Sequence, residues 1–200
     1  MAQEMAGWLA QALRHLGDEF KPNRLAYWSL MTKNEREMSN ALAWSLNEQF
    51  AGDDDIQVIR EWKRHDIAVL RRHNPVALVE AKAAMAFNLV EESSRVYPSK
   101  EVLRDIEKLR GAEPKCEECY VLPFFTHVRQ IPRHEYDGAM PYISGIRKHR
   151  IIEEAELEGG FERFRKAVGE LTVVANGAIP AGKAFDVDVS VFYWLLAVPG

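Results

Sequence analysis

The stretch DIAVLRRHNPVALVEAK, Asp66 to Lys82, carries more information than any other part of the chain. Asp66 to Leu70 is short and apolar, His73, Asn74 and Pro75 are turn formers, and Val76, Ala77, Leu78 and Val79 open a second apolar run. This pattern predicts two short strands paired antiparallel, the second buried on both faces. Charge is rare in such a strand, because an unpaired ion in a dry interior is strongly destabilising. Yet the run ends in Glu80-Ala81-Lys82. Glu80 and Lys82 are two apart, so they share a face, about 7 Å from one another along the strand. The antiparallel pairing brings Asp66 beside that end, and two carboxylates and an ammonium converge. Mg²⁺ typically takes one or two carboxylates and keeps several waters. Asp66 and Glu80 supply the carboxylates, and the Ala81 carbonyl a third oxygen. Lys82 is then placed to position a water or to offset charge on a phosphate. Alternation sends His65 to the opposite face, with no role.

Outward from this centre, a helix is expected from Glu35 to Phe50, capped by Thr32 or Asn34, with an apolar stripe through Met38, Leu42 and Leu46. A strand from Ile56 to about Trp62 follows. Beyond Lys82, Ser99 caps a helix over Lys100 to Leu109, and Tyr120 to Val128 reads as a strand, with Pro123 placing it at an edge or a bulge. An amphipathic helix over Ala2 to Leu16 precedes this core. A helix over Phe161 to Leu171 and a strand over Val187 to Val198 follow it, and residues 131–150 are left unassigned. The stripe Phe192 to Leu196 reads as core, or as a homodimer interface if one face is exposed.

With those elements in order, Asp66, thirteen residues and Glu80-Ala81-Lys82 resemble the motif of the PD-(D/E)xK nuclease superfamily, of restriction-endonuclease-like fold. The order helix, three strands, helix, strand matches over roughly Thr32 to Val128. The residue before Asp66 is His65 where the motif is named for proline. The resemblance implies an α/β fold with a central mixed sheet flanked by helices. It implies that Asp66 and Glu80 bind Mg²⁺, with Mn²⁺ able to substitute, and that Lys82 orients the nucleophilic water. It further implies a carboxylate on the first core helix, for which Glu37 is the choice and Glu35 the rival. The expected activity is hydrolysis of nucleic-acid phosphodiesters, DNA ahead of RNA. The alternative is a module that keeps the fold and binds nucleic acid or protein without turnover.

The basic residues Arg64, Arg72, Arg147, Lys148 and Arg150 are candidate phosphate contacts, and Lys108 is a weaker site candidate. Overall the 200 residues carry 26 basic and 30 acidic side chains, a net charge of −4. That excludes bulk attraction of polyanions but not a local basic groove. One domain over 1–200 is expected, cytoplasmic, with no membrane span. The two cysteines, Cys116 and Cys119, are half of what a structural zinc needs and read as reduced thiols. No phosphate-binding glycine loop or serine elbow is found.

Overall fold

The computed structural model describes residues 2–91, 99–149 and 151–199. Its centre is a six-stranded mixed sheet in the order β1-β2-β3-β4-β6-β5. The strands are β1 Ile56–Trp62, β2 His65–Arg71, β3 Asn74–Met85, β4 Glu118–Val128, β5 Thr172–Ala184 and β6 Val187–Val198. Only β3 and β4 are parallel; the other neighbours pair antiparallel. The antiparallel connections β1–β2, β2–β3 and β5–β6 are two-residue hairpins. Their central residues, Lys63-Arg64, Arg72-His73 and Phe185-Asp186, all have positive φ. That is the conformation whose twist matches paired strands. None contains glycine, so the usual sequence signal is missing. The second turn therefore falls one residue earlier than expected, and Asn74 and Pro75 open β3.

Helices cover both faces. On one lie α1 Ala2–His15, α2 Arg24–Met31, α3 Glu35–Gln49 and α6 Ile143–His149. Leu9, Leu13, Leu42 and Leu46 pack there against Ile67, Val79 and Phe124. On the other lie the short α4 Phe87–Val90, α5 Ser99–Arg110 and α7 Glu154–Ala167. Ile106, Phe161 and Phe164 meet Leu78, Phe125 and Trp194 there. The even- and odd-numbered residues of β2 and β3 divide between these two cores, as period-two alternation requires. The stripe Phe192 to Leu196 belongs to this interior: Tyr193, Trp194, Leu195 and Leu196 are buried within the chain and Phe192 is half-buried.

Several elements depart from expectation. Pro123 lies in a central strand, not at an edge. The β4–β6 ladder lapses at Leu122 and Pro123, where proline has no N–H to give, while the β3–β4 ladder runs through. α7 begins seven residues before Phe161, because Glu153 and Glu156 form a reciprocal capping box. β5, rich in Gly, Ala and Pro, is an edge strand with two register shifts that its composition concealed.

Gly160 sets how closely α4 approaches α7. A Cβ there would lie 2.8 Å from the Leu89 carbonyl oxygen, whereas one on Gly159 would meet only the Arg163 side chain at 3.6 Å. Gly160→Ala is therefore expected to destabilise by about 1–3 kcal/mol despite better helix propensity. Gly159→Ala is expected to stabilise by up to about 1 kcal/mol. Urea unfolding of the two variants checks both signs.

Candidate active site at the open edge of β3

β2 is shorter than the strand it pairs with. Their ladder stops at Ile67↔Val79, while β3 continues to Met85, paired on its far side with β4 as far as Met85↔Thr126. The last turns of β3 thus leave a row of N–H groups without a strand partner. Side chains take them in alternation. Ala81 N–H donates to Asp66 Oδ2 at 2.8 Å, Ala83 N–H to Glu35 Oε2 at 3.3 Å, and Met85 N–H to Asn88 Oδ1 at 3.2 Å. This notch is where helices from opposite faces of the sheet meet, and it explains why a strand buried upstream tolerates charge here.

Lys82 lies between the two faces. Its Nζ is 3.6 Å from Glu35 Oε1 of α3 and 3.4 Å from Asp105 Oδ2 of α5. Burial alone would lower its pKa, but Glu35 and Asp105 outweigh that and hold the ammonium above its ordinary value. Glu80 is fully buried, and its Oε1 is 2.6 Å from His65 Nδ1 and 2.7 Å from Lys108 Nζ. Desolvation pushes its carboxyl up to about 8, against the opposing hydrogen bond from Lys108. Glu35 and Asp105 are also raised, chiefly by burial, and Asp66 adds repulsion to both. Asp105 Oδ2 is buried, with the Lys82 ammonium as its charged partner. Four carboxyl groups, Glu35, Asp66, Glu80 and Asp105, thus gather around Lys82, Lys108 and the Arg60 guanidinium.

No family model matches the chain, and no curated protein and no solved structure matches it. The site therefore stands on its own geometry. Among the described residues no three Asp, Glu, His or Cys side chains stand together as an ion-holding group. A hard divalent cation needs fewer, since one or two carboxylates with water complete its shell. Asp66 and Glu80 face the same side of neighbouring strands, and the Ala81 carbonyl lies on the edge whose N–H Asp66 accepts. Asp66, Glu80 and the Ala81 carbonyl offer oxygen donors of the kind a hard cation takes, and in that donor chemistry the residues present fit such an ion.

The structure brings together Asp66, Glu80, Ala81 and Lys82, as the sequence predicts, and replaces Glu37. Of the residues following Glu37 at helical spacing, Asn40 and Trp44 are exposed and Ala41 is half-buried. Glu37 is half-buried and bonded to none of these groups. Those following Glu35, namely Met38, Ser39 and Leu42, are buried, so Glu35 is the carboxylate turned toward the sheet. His65 also differs from expectation. It is the first residue of β2, ahead of the first β2–β3 pair, and Glu61, Lys63 and Arg64 around the preceding turn have positive φ. Strict alternation lapses there, and the ring reaches Glu80.

The basic candidates separate. Arg64 lies in the β1–β2 turn beside the site, where its carbonyl accepts from Lys108 Nζ. Arg72 sits at the far end of β2, roughly 20 Å from Asp66 along the strand, and its Nη2 donates to Asp55 Oδ2 at 2.7 Å. Arg147 is a structural tie: it donates to the Pro132 and Arg133 carbonyls and pairs with Asp137. Lys148 Nζ is 2.7 Å from Glu91 Oε1 and otherwise exposed. Arg150 lies outside the described residues. Sequence reasoning missed Asp105, although it is three residues before Lys108 on the same helix. It also missed Arg60, which donates through Nε to Asn40 Oδ1 at 2.9 Å and through Nη1 to the Asp66 carbonyl, tying α3 and β1 to β2. Among the described residues no helix is long and apolar enough to cross a membrane.

Proposed function

We propose that the protein is a divalent-metal-dependent phosphodiester hydrolase acting on nucleic acid, DNA ahead of RNA, with a core of the restriction-endonuclease-like kind. The observation that carries this reading is the notch itself: Asp66 and Glu80 on one face of neighbouring strands, with Lys82 two residues on. The order α3-β1-β2-β3-α5-β4, with only the short α4 intervening after β3, an antiparallel β1-β2-β3 meander and a parallel β3–β4 pair support it.

Asp66, Glu80 and the Ala81 carbonyl are the groups that would hold Mg²⁺ or Mn²⁺, which when bound supplies Lewis-acid stabilisation of the charge that develops on phosphate. Lys82 holds and orients the attacking water and offsets charge on the phosphate oxygens. Glu35 and Asp105 fix Lys82 between them and keep it protonated. Lys108 pairs with Glu80 at 2.7 Å and, being partly exposed, would have to turn aside for Glu80 to hold a cation. Arg64 contacts the phosphate backbone from the adjacent turn.

The test is incubation of purified protein with single- and double-stranded DNA, with and without Mg²⁺ or Mn²⁺. Asp66→Ala is expected to abolish cleavage. Glu35→Ala is expected to lower it at least about tenfold, and Glu37→Ala to leave it within about twofold. One observation favours a second reading, a binding module without turnover: Glu80 is already held by His65 and Lys108. No metal-dependent cleavage by the wild type, with nucleic-acid binding retained, would decide for that reading.

A further inference from the structure

Past the acids, the same edge of β3 runs into a cavity of about 210 Å³, walled among others by Ala83, Met85, Phe87, Tyr142, Asn34 and Asn88. It begins at Ala83, the residue after Lys82, whose N–H is held by Glu35. Its walls are largely apolar and aromatic. Hydroxyls, Lys33 and two amides give it polar points. Asn88 Oδ1 is occupied by the Met85 N–H, which leaves the Asn88 amide hydrogens as donors, and buried Asn34 donates through Nδ2 to Ser29 Oγ at 2.6 Å. Pockets that take whole drug-sized ligands measure about 300–1,000 Å³, so this one admits a single ring system. Lys33 is the one cation among its lining residues, and the rest of the wall is aliphatic, aromatic or neutral and polar, which suits a ring better than a second phosphate. A planar, neutral, hydrogen-bonding ring next to a phosphodiester is a nucleobase.

We propose that this cavity receives one unpaired base of the substrate, adjacent to the phosphate held at the acids. The inference rests on the hydrolase reading and deepens it, because a base pair is too large for the cavity. The substrate is therefore single-stranded, or has a frayed or splayed end from which a base can leave the stack. Stacking on the aromatic walls supplies affinity without demanding one particular base.

The experiment uses a single-stranded octanucleotide carrying 2-aminopurine, titrated with full-length protein in Ca²⁺, and the same base held in a blunt duplex. Thr32→Trp fills the mouth from an exposed position that lines the cavity, and Tyr142→Ala removes an aromatic wall. The expected result is a fluorescence change with the single strand, binding weakened about tenfold or more by each variant, and no comparable change with the duplex. Absence of single-strand binding by the wild type, equal response to the duplex, or wild-type binding by both variants overturns the proposal. Failure of the hydrolase reading looks different. A single strand bound in a Thr32- and Tyr142-sensitive way with no Mg²⁺-dependent cleavage leaves the base site standing. Equal cleavage of single strand and duplex by wild type and both variants removes the base site and leaves the hydrolase.

Discussion

Exchange of Lys82 for methionine is expected to lower metal-dependent cleavage by about 10²–10⁴-fold while the fold is kept. Methionine replaces the aliphatic stem and removes only the charge. The ammonium it removes is the one that Glu35 at 3.6 Å and Asp105 at 3.4 Å hold in its charged state. Without it, those two carboxyls, already raised by burial, face each other unneutralised and gain proton or cation affinity. Lys82→Met should therefore bind Mn²⁺ at least as tightly as the wild type while losing turnover. Asp66→Ala should lose both. This split separates a water-orienting lysine from a residue that merely keeps the site folded. Calorimetry with Mn²⁺ and cleavage of end-labelled DNA measure the two halves. Cleavage by Lys82→Met within threefold of wild type would remove Lys82 from the chemistry.

The second large effect is on stability as a function of pH. Glu80 titrates near 4.5 when unfolded and is pushed up to about 8 in the fold. Between those values the folded state holds a proton that the unfolded state has lost. Stability therefore falls as pH rises through the window and levels off above about 8. His65 and His127 are both depressed by burial, so their effects appear as pH falls below the ordinary histidine range. The interval from pH 6.5 to 8.5 thus lies above both histidine effects. Over it the wild type is expected to lose about 2 kcal/mol, or roughly 4–8 °C in Tm for a domain of this size. Glu80→Gln should flatten that slope and be the more stable protein at pH 8.5, since Lys108 is partly exposed and can turn to solvent. Mg²⁺ added at pH 8.5 should raise the Tm of the wild type and leave that of Glu80→Gln unchanged. A wild-type Tm that rises from pH 6.5 to 8.5 would contradict the assignment of the charge to Glu80.

What the sequence disclosed follows from what alternation and helical period can carry. Strands β2 and β3, their pairing and the shared face of Glu80 and Lys82 were legible because period two fixes the face of each residue once the strand is known. The helix carboxylate was not. Glu35 and Glu37 both stand in the first turn of α3, and the choice turns on which face is buried: of Asn40, Ala41 and Trp44, which follow Glu37 at helical spacing, only Ala41 is partly buried. Asp105 was invisible for another reason. It is 39 residues past Asp66 in the chain, and only the packing of α5 over β3 brings it to Lys82. β5 was hidden by its glycines and proline, and α2 by the turn formers ahead of it. Both are peripheral, so the core order survived their omission.

In the proposed hydrolase, Asp66 and Glu80 together hold one divalent ion with Lys82 alongside. The most direct measurement is anomalous diffraction from a crystal soaked in Mn²⁺. A peak bridging the Asp66 and Glu80 carboxylates, with Lys108 withdrawn from Glu80, is the predicted result. Density only elsewhere, or none, with Lys108 and His65 still closed on Glu80, would contradict it.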